Sequence, residues 1–255
     1  MTNNTFNLNE KVAFVTGGNR GLGLGMAEGL ANAGANIVIA ARDEKKNADA
    51  IEKISANGGL AIGVRCDVAD PVSVKSAFAQ VVKQLGRVDI VVNNSGTSCR
   101  FRPEDTPDEE WDRVMDVNLK GPFMVAREAY PYFLASGGGK LINIASMMSI
   151  FGGEYDTAYA PSKGGIVQFT KVCAIAWAKD NIQVNSILPG WLYTDLTQSY
   201  LKKFPDQEKL IRERTPAGRW GEPGDLAGPV VFLASSASDF VTGASLIVDG
   251  GYSIK

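Results

Sequence analysis

Lys11-Val-Ala-Phe-Val-Thr-Gly-Gly-Asn-Arg-Gly-Leu-Gly23 is the stretch that decides the fold. Lys11–Thr16 is a short apolar run with β-branched and aromatic residues, the pattern of a strand buried on both faces. From Gly21 to Ala33 the apolar residues fall at helical spacing. Between them, Thr16–Gly23 packs four glycines into the turn from strand to helix. Side chains there would hold the backbone away from a pyrophosphate. The helix N-terminus supplies free N–H groups and the positive end of its dipole. The turn reads as a phosphate cradle, spaced G-x-x-x-G-x-G in place of the more general G-x-G-x-x-G.

Outward from the cradle, short apolar runs alternate with longer amphipathic ones. Strands are predicted at Asn36–Ala41, Leu60–Arg65, Val88–Val92, Lys140–Ala145, Ile182–Leu188 and Ser245–Val248. Helices are predicted at Asp43–Asn57, Pro71–Leu85, about Pro107–Leu134, about Thr157–Lys179 and near Pro223–Ala234. Strands alternating with helices imply right-handed crossovers and a parallel sheet covered on both faces. Residues 1–255 therefore read as a single α/β domain, doubly wound in the Rossmann manner. The polar, charged stretch at about 194–216 breaks the alternation and is expected to form a helical flap over the site.

Composition narrows the chemistry. With 26 basic and 28 acidic side chains the net charge is −2, so no nucleic-acid partner is expected. No apolar run approaches the roughly 20 residues of a membrane span, and Met1–Thr5 has neither a basic nor an apolar leader pattern. The expectation is a cytoplasmic protein. Cys66, Cys99 and Cys173 lie far apart and read as free thiols, with no metal site expected. The chain contains no histidine, which removes Ser-His-Asp and Cys-His mechanisms. Acid–base chemistry is left to Tyr, Lys, Cys or carboxylates.

The motifs then fall in a recognisable order. Thr16–Gly23 is similar to a TGxxxGxG loop, Asn93-Asn94-Ser95-Gly96 to an NNAG motif with serine for alanine, and Tyr159-Ala-Pro-Ser-Lys163 to YxxxK. Over essentially its whole length the chain resembles the short-chain dehydrogenase/reductase family. The resemblance implies a seven-stranded parallel sheet in the order 3-2-1-4-5-6-7 and a catalytic tetrad of Asn118, Ser146, Tyr159 and Lys163. It implies a cofactor surface built from Gly17, Asn19, Arg20, Gly21, Leu22, Gly23, Arg42, Asp67, Val68, Asn94, Ser95, Gly96, Tyr159, Lys163, Pro189, Gly190, Leu192 and Thr194. It also implies a homotetramer with 222 symmetry.

The chemistry is consistent with that list. Reducing a ketone needs a proton donor at the carbonyl oxygen. Tyr159 can be one if its pKa, near ~10 when free, is lowered. Lys163 lies four residues on, hence on the same helical face, where an ammonium favours the phenolate. Ser146, ending the fifth strand, can hydrogen-bond the same oxygen. In the family Asn118 holds a proton-relay water to Lys163.

Cofactor choice turns on the end of the second strand. Counting about 20 residues past the cradle reaches Asp43, a naive candidate for the ribose acid of an NAD enzyme. In the family that acid ends the strand, where Ala41 stands here, and Arg42 follows with planar donors suited to a 2′-phosphate. Arg20 can reach the same phosphate, so NADP(H) is expected.

Toward the substrate, Thr215–Asp225 and Val248–Tyr252 look similar to the sugar-acid branch of the family, with its gluconate 5-dehydrogenases and 2-deoxy-3-keto-gluconate dehydrogenases. That branch often carries an arginine pair after NNAG; here Cys99 and Arg100 occupy the places, with Arg102 nearby. The expected pocket wall comprises Arg100, Met147, Met148, Glu154, Tyr155, Trp191 and Leu192. The expected reaction is hydride transfer between nicotinamide and a carbonyl or secondary alcohol, on a sugar acid or a small ketone. A 3-oxoacyl thioester reductase is the alternative. A catalytically silent nucleotide-binding protein is disfavoured because Tyr159 and Lys163 are both present.

Overall fold

A computed structural model describes residues 4–255, without the side chains of Leu196 and Ser199. Met1, Thr2 and Asn3, on which the leader reading partly rests, lie outside the described residues. Seven parallel strands form one sheet: β1 (Val12–Thr16), β2 (Asn36–Ala41), β3 (Ala61–Arg65), β4 (Ile90–Asn93), β5 (Gly139–Ile144), β6 (Ile182–Pro189) and β7 (Ser245–Val248). Their order is β3-β2-β1-β4-β5-β6-β7, as the resemblance implied. Register is in step across the centre: Ala13 faces Ile37 on β2 and Ile90 on β4.

Each crossover helix has a local reason to start where it does. α1 (Gly21–Asn32) grows out of the cradle with no side-chain cap, which leaves its first N–H groups to other acceptors. α2 (Glu44–Ala56) is capped by Asp43, whose carboxylate accepts from the Lys46 N–H at 3.1 Å. The residue that a count from the cradle offers as a ribose acid is thus a helix cap. α3 (Pro71–Leu85) begins with proline at its first position behind the Asp70 cap and ends at Gly86, with φ 77°.

The long helix expected at Pro107–Leu134 is interrupted, and this corrects the sequence reading. α4 (Asp108–Met115) and α5 (Gly121–Ala135) are joined by a π-helical turn, Asp116–Lys120, in which the Gly121 N–H reaches the Asp116 carbonyl. One extra residue per turn is invisible to a 3.6-residue period, and such turns occur mostly at functional places. α6 (Tyr159–Trp177) follows β5.

Two apolar layers sandwich the sheet. Phe14, Phe78, Val125 and Phe133 anchor one, and Met26, Leu30, Ile39 and Leu233 the other. The flap is two short helices, α7 (Asp195–Lys203) and α8 (Asp206–Arg214), separated at Phe204-Pro205. Pro223–Leu226 is a 3₁₀ turn leading into α9 (Ala227–Ala234). The carboxyl ends of the strands, where open α/β sheets bind ligands, face the flap. No described helix is long and apolar enough to cross a membrane. Cys66, Cys99 and Cys173 are free and buried.

Candidate active site

The cradle is closed by its neighbour loop. Thr16 Oγ1 accepts from the Asn94 and Ser95 N–H groups at 2.9 and 3.0 Å, and Asn94 Nδ2 donates to the Thr16 carbonyl at 2.9 Å. A Cβ on Gly23 would collide with the Gly17 carbonyl and with Asn94 Nδ2, and Gly17 itself holds φ 61°. These positions admit only glycine at that spacing. Gly21 and Leu22 begin α1 at the mouth, where Thr194 packs on Gly21. The uncapped N-terminus of α1 and a backbone stripped of side chains fit the pyrophosphate of a dinucleotide.

At the adenosine end, Asn19 Nδ2 donates to Asn47 Oδ1 at 2.8 Å, and buried Asn47 in turn donates to the Ala41 carbonyl at 3.1 Å. Asn47 therefore joins the cradle to the end of β2, a role sequence reading missed because a polar residue in a charged helix looks like surface. Arg42 is 72% exposed along its side chain, with its guanidinium 3.9 Å from Asp67. Asp67 also accepts from the Ala69 N–H at 3.1 Å. Arg20 turns toward the flap and pairs with Asp195 at 2.8 Å, both side chains exposed. Exposed pairs of this type contribute roughly 0–1 kcal/mol, so the pair is easily exchanged. Val68 is buried against Gly121, and Pro189 and Gly190 close the end of β6.

Asn118, Ser146, Tyr159 and Lys163 converge beyond Ser95-Gly96. The π-turn aims Asn118 inward; it is fully buried, accepts from the Thr97 N–H at 2.8 Å and donates to the Thr97 carbonyl at 2.8 Å and to Ser162 Oγ at 3.1 Å. A Cβ on Gly96 would lie 3.6 Å from Asn118 Oδ1 and 3.7 Å from Lys163 Nζ, which places both groups against the same stretch of backbone. Lys163 Nζ donates to the Ile144 carbonyl at 2.7 Å and sits 5.8 Å from the Tyr159 ring centre. Ser146 accepts from the Met148 N–H at 3.1 Å and faces the Tyr159 phenol. Burial raises the phenol pKa, and the Ser146 hydroxyl acts against that rise. Burial alone lowers the Lys163 ammonium to about 8, which leaves it cationic at neutral pH.

That shift has a stability consequence. Folded Lys163 loses its proton near pH 8, and unfolded Lys163 near its ordinary 10.5. Between these values the unfolded chain binds one more proton, so the Lys163 contribution to stability rises with pH through that window. Below about 8 both states are charged, and the cost of burying the ammonium is constant. In urea unfolding across the window, Lys163→Met is expected to show a flatter rise than wild type. Identical slopes would contradict the assignment.

On the substrate side the expected wall is rearranged. Met147, Met148 and Trp191 join an apolar cluster with Trp220, Tyr200 and Tyr252 beneath the flap, with the Trp191 and Tyr200 rings 5.5 Å apart. Leu192 is 3% exposed, and its side chain packs against Gly221. Glu154 is a correction. It is 58% exposed and paired with Arg102 at 2.6 Å, and Arg102 also binds Glu104 at 2.7 Å. Tyr155 is exposed beside them. The next residue, Asp156, turns inward instead, because its backbone pairs with Phe101. Arg100 lies 3.9 Å from Asp156 and 4.4 Å over the Tyr200 ring. Tyr200 comes from the flap, and no motif pointed to it.

Comparison with known proteins places this geometry. A family model described as enoyl-(acyl carrier protein) reductase matches residues 17–253. A 2-dehydro-3-deoxy-D-gluconate 5-dehydrogenase from Dickeya dadantii is 45% identical over 253 residues, covering 99% of both chains. An NAD-dependent glycerol dehydrogenase from Listeria innocua is 38% identical, over 98% of this chain and 96% of its own. The crystal structure of a gluconate 5-dehydrogenase from Burkholderia cenocepacia, in complex with NADP and tartrate, superposes with a TM-score of 0.94 at 39% identity over 98% of each chain. The chain belongs to the short-chain dehydrogenase/reductase family of oxidoreductases.

Proposed function

We propose that this protein is an NADP(H)-dependent dehydrogenase that moves a hydride between nicotinamide and a secondary alcohol or carbonyl carbon of a sugar acid, with Tyr159 as acid–base. The observation that carries the reading is the convergence of Tyr159, Ser146 and Lys163 at the open end of a glycine cradle. A bound nicotinamide would supply or take the hydride and, when oxidised, would carry a positive charge that favours a phenolate. Tyr159 gives its proton to the carbonyl oxygen in reduction and takes the alcohol proton in oxidation. Ser146 hydrogen-bonds the same oxygen as charge develops on it. Lys163, cationic and held by the Ile144 carbonyl, lowers the cost of the phenolate. Asn118 holds the Thr97 segment, the loop that leads from Gly96 to Arg100.

NADP is favoured over NAD by Ala41 at the end of β2, by Arg42 next to it, and by the engagement of Asp43 as a helix cap. A sugar acid is favoured by Arg100, which makes no hydrogen bond among the described residues and so has donors for a carboxylate. The names of the dehydrogenases most similar to the chain support the same class. The apolar wall of Met147, Met148 and Trp191 favours a second reading, reduction of a 3-oxoacyl thioester or a small ketone. A panel of sugar acids, polyols and ketones with each cofactor, followed by absorbance of the reduced nicotinamide, tests the choice. Turnover confined to thioesters or to hydroxyl-free ketones would overturn the sugar-acid reading.

We also propose a homotetramer. Phe123 on α5 and Val172 and Ile175 on α6 are exposed, and so are Phe240, Ile247 and Ile254 around β7. Two separate apolar faces on one protomer suit a 222 assembly. Light scattering at micromolar protein is expected to give four protomers; a stable monomer would contradict it.

A further inference from the structure

Asp156 is buried to 6% exposure, yet its carboxylate makes no hydrogen bond among the described residues. Its nearest opposite charge, Arg100, is 3.9 Å away, beyond hydrogen-bonding distance. The residue is largely buried, but its carboxylate oxygens are not fully enclosed, so a donor from outside the protein can reach an acceptor that the protein leaves without a hydrogen bond. The main chain holds it there. The Asp156 N–H donates to the Gly153 carbonyl at 3.0 Å, its carbonyl accepts from the Ala160 N–H at 2.9 Å at the start of α6, and its backbone pairs with Phe101. A side chain on Gly153 would collide with Asp156 Oδ2.

The charged and titratable groups around Asp156 are Arg100 on the loop after β4, Tyr159 on α6 and Tyr200 on the flap. Asp156 stands three residues ahead of Tyr159, its carbonyl accepting from the Ala160 N–H at 2.9 Å, and Arg100 lies between its carboxylate and the Tyr200 ring, so the carboxylate borders the space in front of Tyr159. Burial raises its own pKa and Arg100 opposes that rise. The space thus joins an acceptor without hydrogen-bond donors and a guanidinium without hydrogen-bonded acceptors, the latter resting on the Tyr200 ring. A polyhydroxylated chain supplies what is missing, hydroxyl donors for the carboxylate.

We propose that Asp156 is a specificity-determining residue that accepts hydrogen bonds from substrate hydroxyl groups next to the reacting carbon. The inference rests on the dehydrogenase reading above, but not on the substrate being an acid, since Arg100 alone answers to a carboxylate. A site built to bond a hydroxyl rejects analogues that lack it far more strongly than a merely apolar pocket does.

The test uses Asp156→Asn and Asp156→Ala in the full-length protein, against gluconate, sorbitol and a hydroxyl-free ketone such as cyclohexanone. For each variant kcat/KM is measured with the preferred cofactor and Tm without ligand. With whichever hydroxylated compound the wild type uses, both variants are expected to lose roughly 10- to 100-fold in kcat/KM, the range of a hydrogen bond to a charged group. The ketone is expected to lose markedly less than the hydroxylated compound, and cofactor affinity to stay close to wild type. Because the carboxylate makes no hydrogen bond among the described residues and its ion pair with Arg100 is long, at 3.9 Å, Tm is expected to change little; a structural role would lower it. Full kcat/KM on the hydroxylated compound, an equal loss on the ketone, or a fall in Tm that accounts for the loss would overturn the proposal. If the wild type uses sorbitol but not gluconate, the sugar-acid reading fails while the Asp156 comparison still stands. If it uses only the ketone, both fail.

Discussion

Tyr159→Phe is expected to lower kcat by roughly 10²–10⁴-fold, the usual worth of positioned acid–base help, with Tm and cofactor affinity close to wild type. The substitution removes one oxygen. That hydroxyl faces Ser146, but α6 is tied down independently of it, through Ser162 Oγ to the Tyr159 carbonyl at 2.7 Å, Asn118 to Ser162 and Ser149 to the Lys163 carbonyl at 2.8 Å. Burial raises the phenol pKa, so the hydroxyl is neutral near pH 7 and its removal takes no charge out of the site; little loss of stability is expected. Stopped assays at saturating cofactor give kcat, and thermal melts give Tm. A near-normal kcat would remove Tyr159 from its role. A collapsed Tm would show that the ring hydroxyl is structural.

The second large effect concerns the cofactor. The double change Arg20→Ala, Arg42→Ala is expected to weaken NADPH binding on the order of tenfold or more per arginine and to leave NADH binding nearly unchanged, since charge-assisted bonds contribute roughly 1.5–3 kcal/mol each before non-additivity. Arg42 is expected to carry the larger share. It follows Ala41 at the end of β2, and among the described residues its guanidinium has a single charged contact, Asp67 at 3.9 Å. Arg20 must first leave Asp195, at small cost because both side chains are exposed. If the wild type prefers NADH and the double variant does not change that, the two arginines are surface charges.

Much of the frame is legible in the amino-acid sequence. Buried parallel strands are near-continuous apolar runs, so β1, β2 and β6 stand out as they do. Tyr159 and Lys163 are legible as a pair because i, i+4 spacing puts both on one helix face. What escapes the sequence is geometry that no local period encodes. The π-turn that swings Asn118 inward adds one residue to a helical turn, and the pattern of Pro107–Leu134 absorbs it silently. In the loop before α6, sequence favours Glu154 as the inward carboxylate. The Phe101–Asp156 pairing and the Arg102–Glu154 ion pair set the opposite orientation, and both partners lie some 50 residues away in the chain. Tyr200 and Asn47 are hidden for a related reason: each becomes informative only when folding brings the flap or α2 against another segment.

The most direct measurement follows the hydride itself. Gluconate carrying deuterium on its carbinol carbons is incubated with the protein and NADP, and the cofactor is weighed by mass spectrometry. Reduced nicotinamide that has gained one deuterium, at a rate abolished in Tyr159→Phe, is the expected result. Reduced cofactor with no deuterium, or equal transfer in the variant, would contradict hydride transfer from a sugar-acid carbinol assisted by Tyr159.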